Sequence, residues 1–265
     1  MDRFPPHYPE RSNDMKLHRW LLVLMIILIG TTGLMGCNDN PSGSNAGTFS
    51  VESSYLQESG EHLNINAEYP ILKGFPGADA LNADIKEKVE AAAEEVRNAA
   101  RELEGREGFS ASLNSSYQYF HNKDIASLWI NWDNYTGGAH GLYWLDSYTF
   151  NTNTGQIYTF PELFQDDSDG LEYVTHKILS EIAEGDYYFE NAADTVAGYN
   201  GNYHFLINGQ NLIVYFPLYD IAPYVAGIQS FSFSLDDLGS MLKPEVYAAM
   251  EGQEPVFIQF FGSDE

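Results

Sequence analysis

Cysteine is almost absent from this 265-residue chain; Cys37 is the only one. A lone cysteine forms no intrachain disulfide, so the fold must rest on its core. Positive charge is scarce as well. Thirteen Lys and Arg stand against 38 Asp and Glu, a formal net charge of −25 at pH 7. Such a surface repels nucleic acid and anionic lipid and attracts cationic partners, although solubility or tolerance of salt explains it equally well. No apolar run reaches the roughly 20 residues of a membrane-spanning helix. The run over residues 20–35 is broken by Gly30, Thr31, Thr32 and Gly33. There is no GxSxG elbow, Walker A loop, Rossmann glycine fingerprint or HExxH pair, which sets aside the commonest hydrolase, nucleotide and zinc chemistries. A carboxylate pair for glycoside hydrolysis is compatible with so many acids, and for that reason their number decides nothing.

What is present begins at the N-terminus. Lys16, His18 and Arg19 precede the apolar run, and "LMGC" follows it (residues 34–37). Basic, apolar and small-residue regions in that order describe an export signal. The last four residues resemble the lipobox of bacterial lipoproteins, in which the cysteine takes an acyl group and becomes the first mature residue. Residues 1–36 are therefore expected to be a signal peptide, Cys37 the lipidation site, and residues 37–50 a polar, flexible tether. Cleavage there would leave nine Lys and Arg against 35 Asp and Glu, a balance of −26. The acyl chain implies membrane attachment without a span.

The remaining chain alternates between strand and helix patterns. "FSVESSYLQ" and "LNINAEYP" read as strands, the second with Leu63, Ile65, Ala67 and Tyr69 on one face and Pro70 at its end. Leu81, Ile85, Val89, Val96 and Leu103 form a helical stripe over residues 80–103, with Asp79 as its cap and the off-stripe charges Glu87, Glu90, Glu94, Arg97 and Arg101 as a solvated face. Three β-segments follow, and then a shorter helix marked by Leu171, Val174, Ile178 and Ile182, with Asp169 and Glu172 at capping-box spacing. Asp166, Asp167 and Asp169 lack calcium-loop spacing and are read as helix entry. Asn208-Gly209 marks a hairpin, and "PVFIQFF" is a candidate last strand. Segregated elements of this kind predict an α+β fold of antiparallel sheets with one long and one short helix, arranged as two small subdomains.

"NYTGGAHG" (residues 134–141) holds the candidate site. Paired glycines permit left-handed angles and a sharp reversal, so Gly137, Gly138 and Gly141 are expected to shape the loop. On the strand before it, Ala126, Leu128, Ile130 and Trp132 read as core. Trp129, among Ser127, Asn131 and Asp133, is either covered by the C-terminal strands or a contact residue. Tyr135 and His140 complete the candidate contacts. No spacing joins His140 to His62, His121, His176 or His204 as metal ligands, and no metal or cofactor is expected. The loop is read first as a structural turn and second as a contact edge.

"YTGGAHG" followed by "YTFNTNTGQIYTFPELF" resembles a signature of extracytoplasmic domains of the anti-sigma-V (RsiV) type. "FLINGQNLIVYFPLYDIAPYVAGIQSFSF" is similar to the closing segment of that domain. Upstream, "YPILKGFPGADALNADI" with its long helix resembles the accessory domain named from the peptidoglycan deacetylase PdaC. The resemblance spans residues 51–238 and implies a PdaC-type domain over 51–150 and an RsiV-like domain over 151–265. It also implies recognition outside the cell, since the corresponding region of anti-sigma-V proteins binds lysozyme. Two departures narrow this. Fewer than 20 residues precede the apolar run and a lipobox follows it, so a sigma-factor inhibitor is not expected. No deacetylase domain is present, so that activity does not transfer. The reading is a lipid-anchored binding module on the outer face of the cell membrane, for peptidoglycan or a cationic protein such as lysozyme, with no nucleic-acid role. The alternative is a cell-wall glycan-processing hydrolase.

Overall fold

Alternation and helical periodicity decide the layers. The protein is described by a computed structural model for residues 48–106, 108–256 and 258; the expected signal peptide (residues 1–36), Cys37 and residues 38–47 of the expected tether lie outside the described residues. Strands β1 (Ser50–Ser59), β2 (Leu63–Lys73), β3 (Ala111–Asn122), β4 (Ile125–Tyr135) and β5 (Leu142–Asn151) form one sheet in that order. Helix α1 (Ala78–Glu102) lies between β2 and β3 in sequence and buries Leu81, Ile85, Val89, Ala92, Ala93 and Val96. The predicted stripe is the buried one. Helices α2 (Gly170–Glu184) and α3 (Ala192–Gly198) precede a second sheet of β6 (His204–Asn208), β7 (Asn211–Phe216) and β8 (Gln229–Ser234), and α4 (Leu235–Leu238) and α5 (Pro244–Met250) follow it. The fold is α+β.

Several details differ from the sequence reading. β2 and β3 pair in parallel over Leu63–Ala67, because α1 carries the chain back before β3 begins. β2 does not stop at Pro70 but pairs with β1 through Lys73. Beyond Ala67 its other edge has left β3, so a missing N–H there interrupts no ladder. Two residues on, the Asn82 side chain occupies that edge, accepting from Leu72 N and donating to Leu72 O, both at 2.8 Å. The N-cap of α1 is Gly77, at φ +87°, and Asp79 sits in the first turn where it favours the helix dipole. Arg97 is not simply solvated: its Nε donates to Glu58 on β1 at 3.0 Å. Asp169 precedes α2 without a side-chain cap bond. Val256 lies outside any strand, held instead by the buried Asn208 amide at 2.8 and 2.9 Å.

β4 is buried on both faces. Ala126, Leu128, Ile130 and Trp132 pack toward α1, while Ile125 and Trp129 enter the core shared with the second sheet. Polar pins join the sheets: the Ser127 Oγ accepts from Ile207 N at 2.9 Å, and the Ser147 Oγ donates to Phe205 O at 2.6 Å.

Candidate functional site

The connection from β4 to β5 carries the glycine motif. Gly137 takes φ +93°, a left-handed angle that disfavours any side chain, and a Cβ there would come within 3.0 Å of Leu103 Cδ2. Gly141 has no such angle but passes so close to Asn134 that a Cβ would lie 2.6 Å from its carbonyl oxygen. Gly138 meets neither constraint; its Cβ would find nothing nearer than 3.7 Å. The left-handed reversal expected of the pair thus belongs to Gly137 alone. The Tyr135 hydroxyl closes the loop by donating to Gly138 O at 2.9 Å.

His140 is exposed, and its ring lies against a second, distant segment. It stacks on Tyr224 with centroids 4.0 Å apart and planes at 28°. Its Nδ1 is 2.9 Å from Gly141 O, so in the neutral ring the proton belongs on Nδ1. Nε2 is then the acceptor, 3.4 Å from the Tyr219 hydroxyl. The Tyr224 hydroxyl donates to the same Gly141 carbonyl at 2.9 Å, across 83 residues of sequence. Tyr143 meets Tyr224 edge-on at 5.8 Å, and Tyr219 lies 5.7 Å from it. Burial raises the phenol pKa of both Tyr143 and Tyr224, which keeps them neutral donors at physiological pH.

The partner segment is itself unusual. Tyr219 is a non-glycine residue at φ +67°, a costly angle that persists where the surroundings over-determine it. It remains 45% exposed, and Val225 at the tip is 92% exposed. Gln229 holds that tip by donating to Ala226 O at 2.6 Å and Gly227 O at 3.2 Å. An aromatic edge of His140, Tyr219 and Tyr224 results, fixed on one side by Gly141 and on the other by the second sheet.

Trp129 is not part of this edge. It is fully buried in the core between the sheets, with its indole N–H donating to Gln118 Oε1 at 3.3 Å, so it offers no surface to a ligand. A polar cluster absent from the sequence reading lies on the α1 side: Lys88 Nζ is 2.9 Å from Asp146 Oδ1, whose other oxygen accepts from Trp132 Nε1 at 3.0 Å. Tyr148 donates to Asp84 at 2.6 Å beneath Lys88, and burial drives its phenol pKa far up. These groups satisfy one another. Among the described residues no three His, Cys, Asp or Glu side chains are grouped to hold a metal ion, and no helix is long and apolar enough to cross a membrane.

The family model described as deacetylase PdaC matches residues 56–143, and that described as a protein of unknown function, DUF3298, matches residues 161–236. The chain carries a PdaC domain followed by a DUF3298 domain. A crystal structure of a DUF3298 family member from Bacteroides fragilis NCTC 9343 superposes with a TM-score of 0.52 at 17% identity, covering 79% of this chain and 100% of that one. A DUF3298 family protein from Pseudomonas aeruginosa PAO1 gives 0.50 at 14% identity, covering 77% and 98%. At such identities the likeness is one of fold. No curated protein matches the chain. The aromatic edge therefore spans both domains: His140 falls within the PdaC match, Tyr219 and Tyr224 within the DUF3298 match.

Proposed function

We propose that this chain is a lipid-anchored, extracytoplasmic binding module whose partner is a cationic protein of the lysozyme type. The observation that carries the reading is the aromatic edge, in which His140 stacks on Tyr224 beside the exposed Tyr219 and Val225, on a chain of net charge −25. Tyrosines held before contact lose little rotamer freedom on binding, and their rings supply apolar area with a polar tip. The acidic surface adds long-range attraction for a basic partner. The resemblance to the anti-sigma-V extracytoplasmic region supports the choice of lysozyme. Anchoring rests on the "LMGC" pattern, with Cys37 as the acyl site at the outer face of the cell membrane. His140 contacts a carbonyl and a tyrosine hydroxyl, not the carboxylate that an acid–base histidine uses, which favours a contact role over the hydrolase alternative.

Calorimetric titration with lysozyme tests this. Binding is expected at low salt with a steep fall toward physiological salt. Tyr219→Ala and Tyr224→Ala are each expected to weaken it about fivefold or more. Absence of binding at low salt, or an affinity untouched by both substitutions, ends the reading.

A further inference from the structure

Strand pairing brings five polar or phenolic residues into one row. Gln57 pairs with Asn66, Asn66 with Asn114, Asn114 with Asp133, and Asp133 with Tyr143, so the row crosses all five strands of the first sheet. Directly paired residues project from the same face. At about 4.8 Å per strand, the row is about 19 Å long.

This face is covered where Phe120 of β3, Trp129 of β4 and Leu145 of β5 enter the core shared with the second sheet. Toward β1 it is open: Gln57 and Asn66 are exposed, and Asn114 and Asp133 are half-buried. A depression of about 340 Å³ lies there, lined by Gln57, Asn64, Asn66 and Asn114. The side chains are already linked in pairs. Gln57 Nε2 donates to Asn66 Oδ1 at 2.8 Å, and Asn114 Nδ2 donates to Asp133 Oδ2 at 3.2 Å. Each amide thus uses one of its two groups on its neighbour and keeps the other for solvent or a ligand. One exposed ring flanks the row: Tyr55 stands beside it on β1, held by Glu68 at 3.2 Å, while Tyr143 at the far end is buried against Tyr224.

The strip has no free cation to hold an anion, and its carboxylates are already engaged: Asp133 accepts from Asn114, Glu68 from Ser53 and Tyr55, and Glu58 at the rim of the depression pairs with Arg97. Amides offer donors and acceptors together, which is what hydroxyl groups require. The exposed Tyr55 ring suits a ligand with flat, weakly polar faces. A chain of uncharged sugar rings has both properties, and its repeat is close to the strand spacing.

We propose that this strip is a binding site for a neutral oligosaccharide laid across the strands, independent of the cationic-protein edge. The test is calorimetry on the full-length chain in a detergent that contains no sugar, with chitohexaose and cellohexaose as probes. One of them is expected to bind, with an affinity unchanged between low and high salt. Asn66→Leu and Asn114→Leu are each expected to weaken binding about tenfold, the scale of one or two lost hydrogen bonds. Thermal melts check folding, and if Asn114→Leu does not fold, the exposed Gln57→Leu replaces it. No heat with either sugar overturns the proposal. So does binding that neither substitution alters, or binding only to a sulfated hexasaccharide that salt abolishes. Loss of lysozyme binding leaves this site untouched, because salt and Tyr224→Ala act on that edge and the amide substitutions act here.

Discussion

Three glycines within five residues allow the loop geometry to be tested with its own control. At Gly141 the added Cβ of alanine would sit 2.6 Å from Asn134 O, against about 3.3 Å for a relaxed carbon–oxygen contact. The two backbone segments must part by about 0.7 Å. Gly141 O is also the acceptor for the Tyr224 hydroxyl at 2.9 Å, so a shift of that size breaks the bond. The lost hydrogen bond costs about 1 kcal/mol and the displacement about 1–2 kcal/mol, partly offset by about 0.5 kcal/mol from a less flexible unfolded chain. The net is about 2 kcal/mol, or a fall in melting temperature of about 4–8 °C for a domain of this size. Gly137→Ala meets a left-handed angle worth about 1–2 kcal/mol, while the Leu103 methyl it approaches can move. Gly138→Ala meets nothing and is expected within about 0.5 kcal/mol of the parent. Urea unfolding followed by fluorescence of the buried Trp129 and Trp132 measures all three. The order Gly141, Gly137, Gly138 is the prediction. A Gly138→Ala variant as unstable as Gly141→Ala would refute the reasoning.

Ser127→Ala leaves the Ile207 N–H without its acceptor in a buried site and is expected to cost about 1–3 kcal/mol in urea unfolding; a change below about 0.5 kcal/mol contradicts the role of Ser127 as a pin between sheets. Partial desolvation by packed neighbours holds both His121 and His204, whose edges remain exposed, below the ordinary histidine pKa, and carboxylates such as Asp220 and Asp146 only partly offset this for His204. The unfolded chain therefore binds protons more readily, so this stability is present above about pH 6.5 and is lost as pH falls through the lowered folded values. Melting temperature should drop between about pH 7 and 5.5, above the carboxylate range, and the His121→Gln, His204→Gln double variant should lose that part of the drop; an unchanged drop in the variant contradicts the assignment. Cys37→Ala should abolish palmitate incorporation; a variant that still takes up label contradicts the lipobox assignment.

Much of the fold is local enough to read from residue order. The Leu81, Ile85, Val89 and Val96 stripe identifies α1 and its buried face, and the expected hairpin joins β6 to β7, with its turn one residue later than Asn208-Gly209: Asn208 pairs with Asn211 and Gly209-Gln210 make the reversal. Other features depend on partners far away. The β2–β3 pairing is parallel because of where α1 returns the chain, and Pro70 is tolerated because β3 has already departed. Neither fact leaves a trace in nearby residues. Trp129 shows a related limit: period-two alternation separates two faces but does not say whether the second meets water or another sheet. Here Ser127 beside it is polar because it bonds Ile207, not because it is solvated. The short helices α3, α4 and α5 hold four to seven residues each, too few for a period to stand out.

The aromatic edge is half legible for a physical reason. Gly137 and His140 stand out as a cluster, whereas Tyr219, Tyr224 and Val225 occupy a stretch that reads as a strand broken by Pro223. Their exposure and the strained angle at Tyr219 exist only after β6, β7 and β8 have formed. The Gly141 carbonyl then receives Tyr224 from the DUF3298 domain while it caps the loop of the PdaC domain. The Ser127–Ile207 bond ties the same two domains, and the Ser147–Phe205 bond joins the segment between them to the second sheet. A site assembled across such a joint is lost when either half is expressed alone, however well that half folds. The amide row is different in kind, since Gln57, Asn66, Asn114 and Asp133 all lie within the PdaC match and owe their alignment to strand register alone. Separating the halves should therefore abolish the edge and spare the alignment of these four residues, while Tyr143 at the end of the row loses its cover from Tyr224.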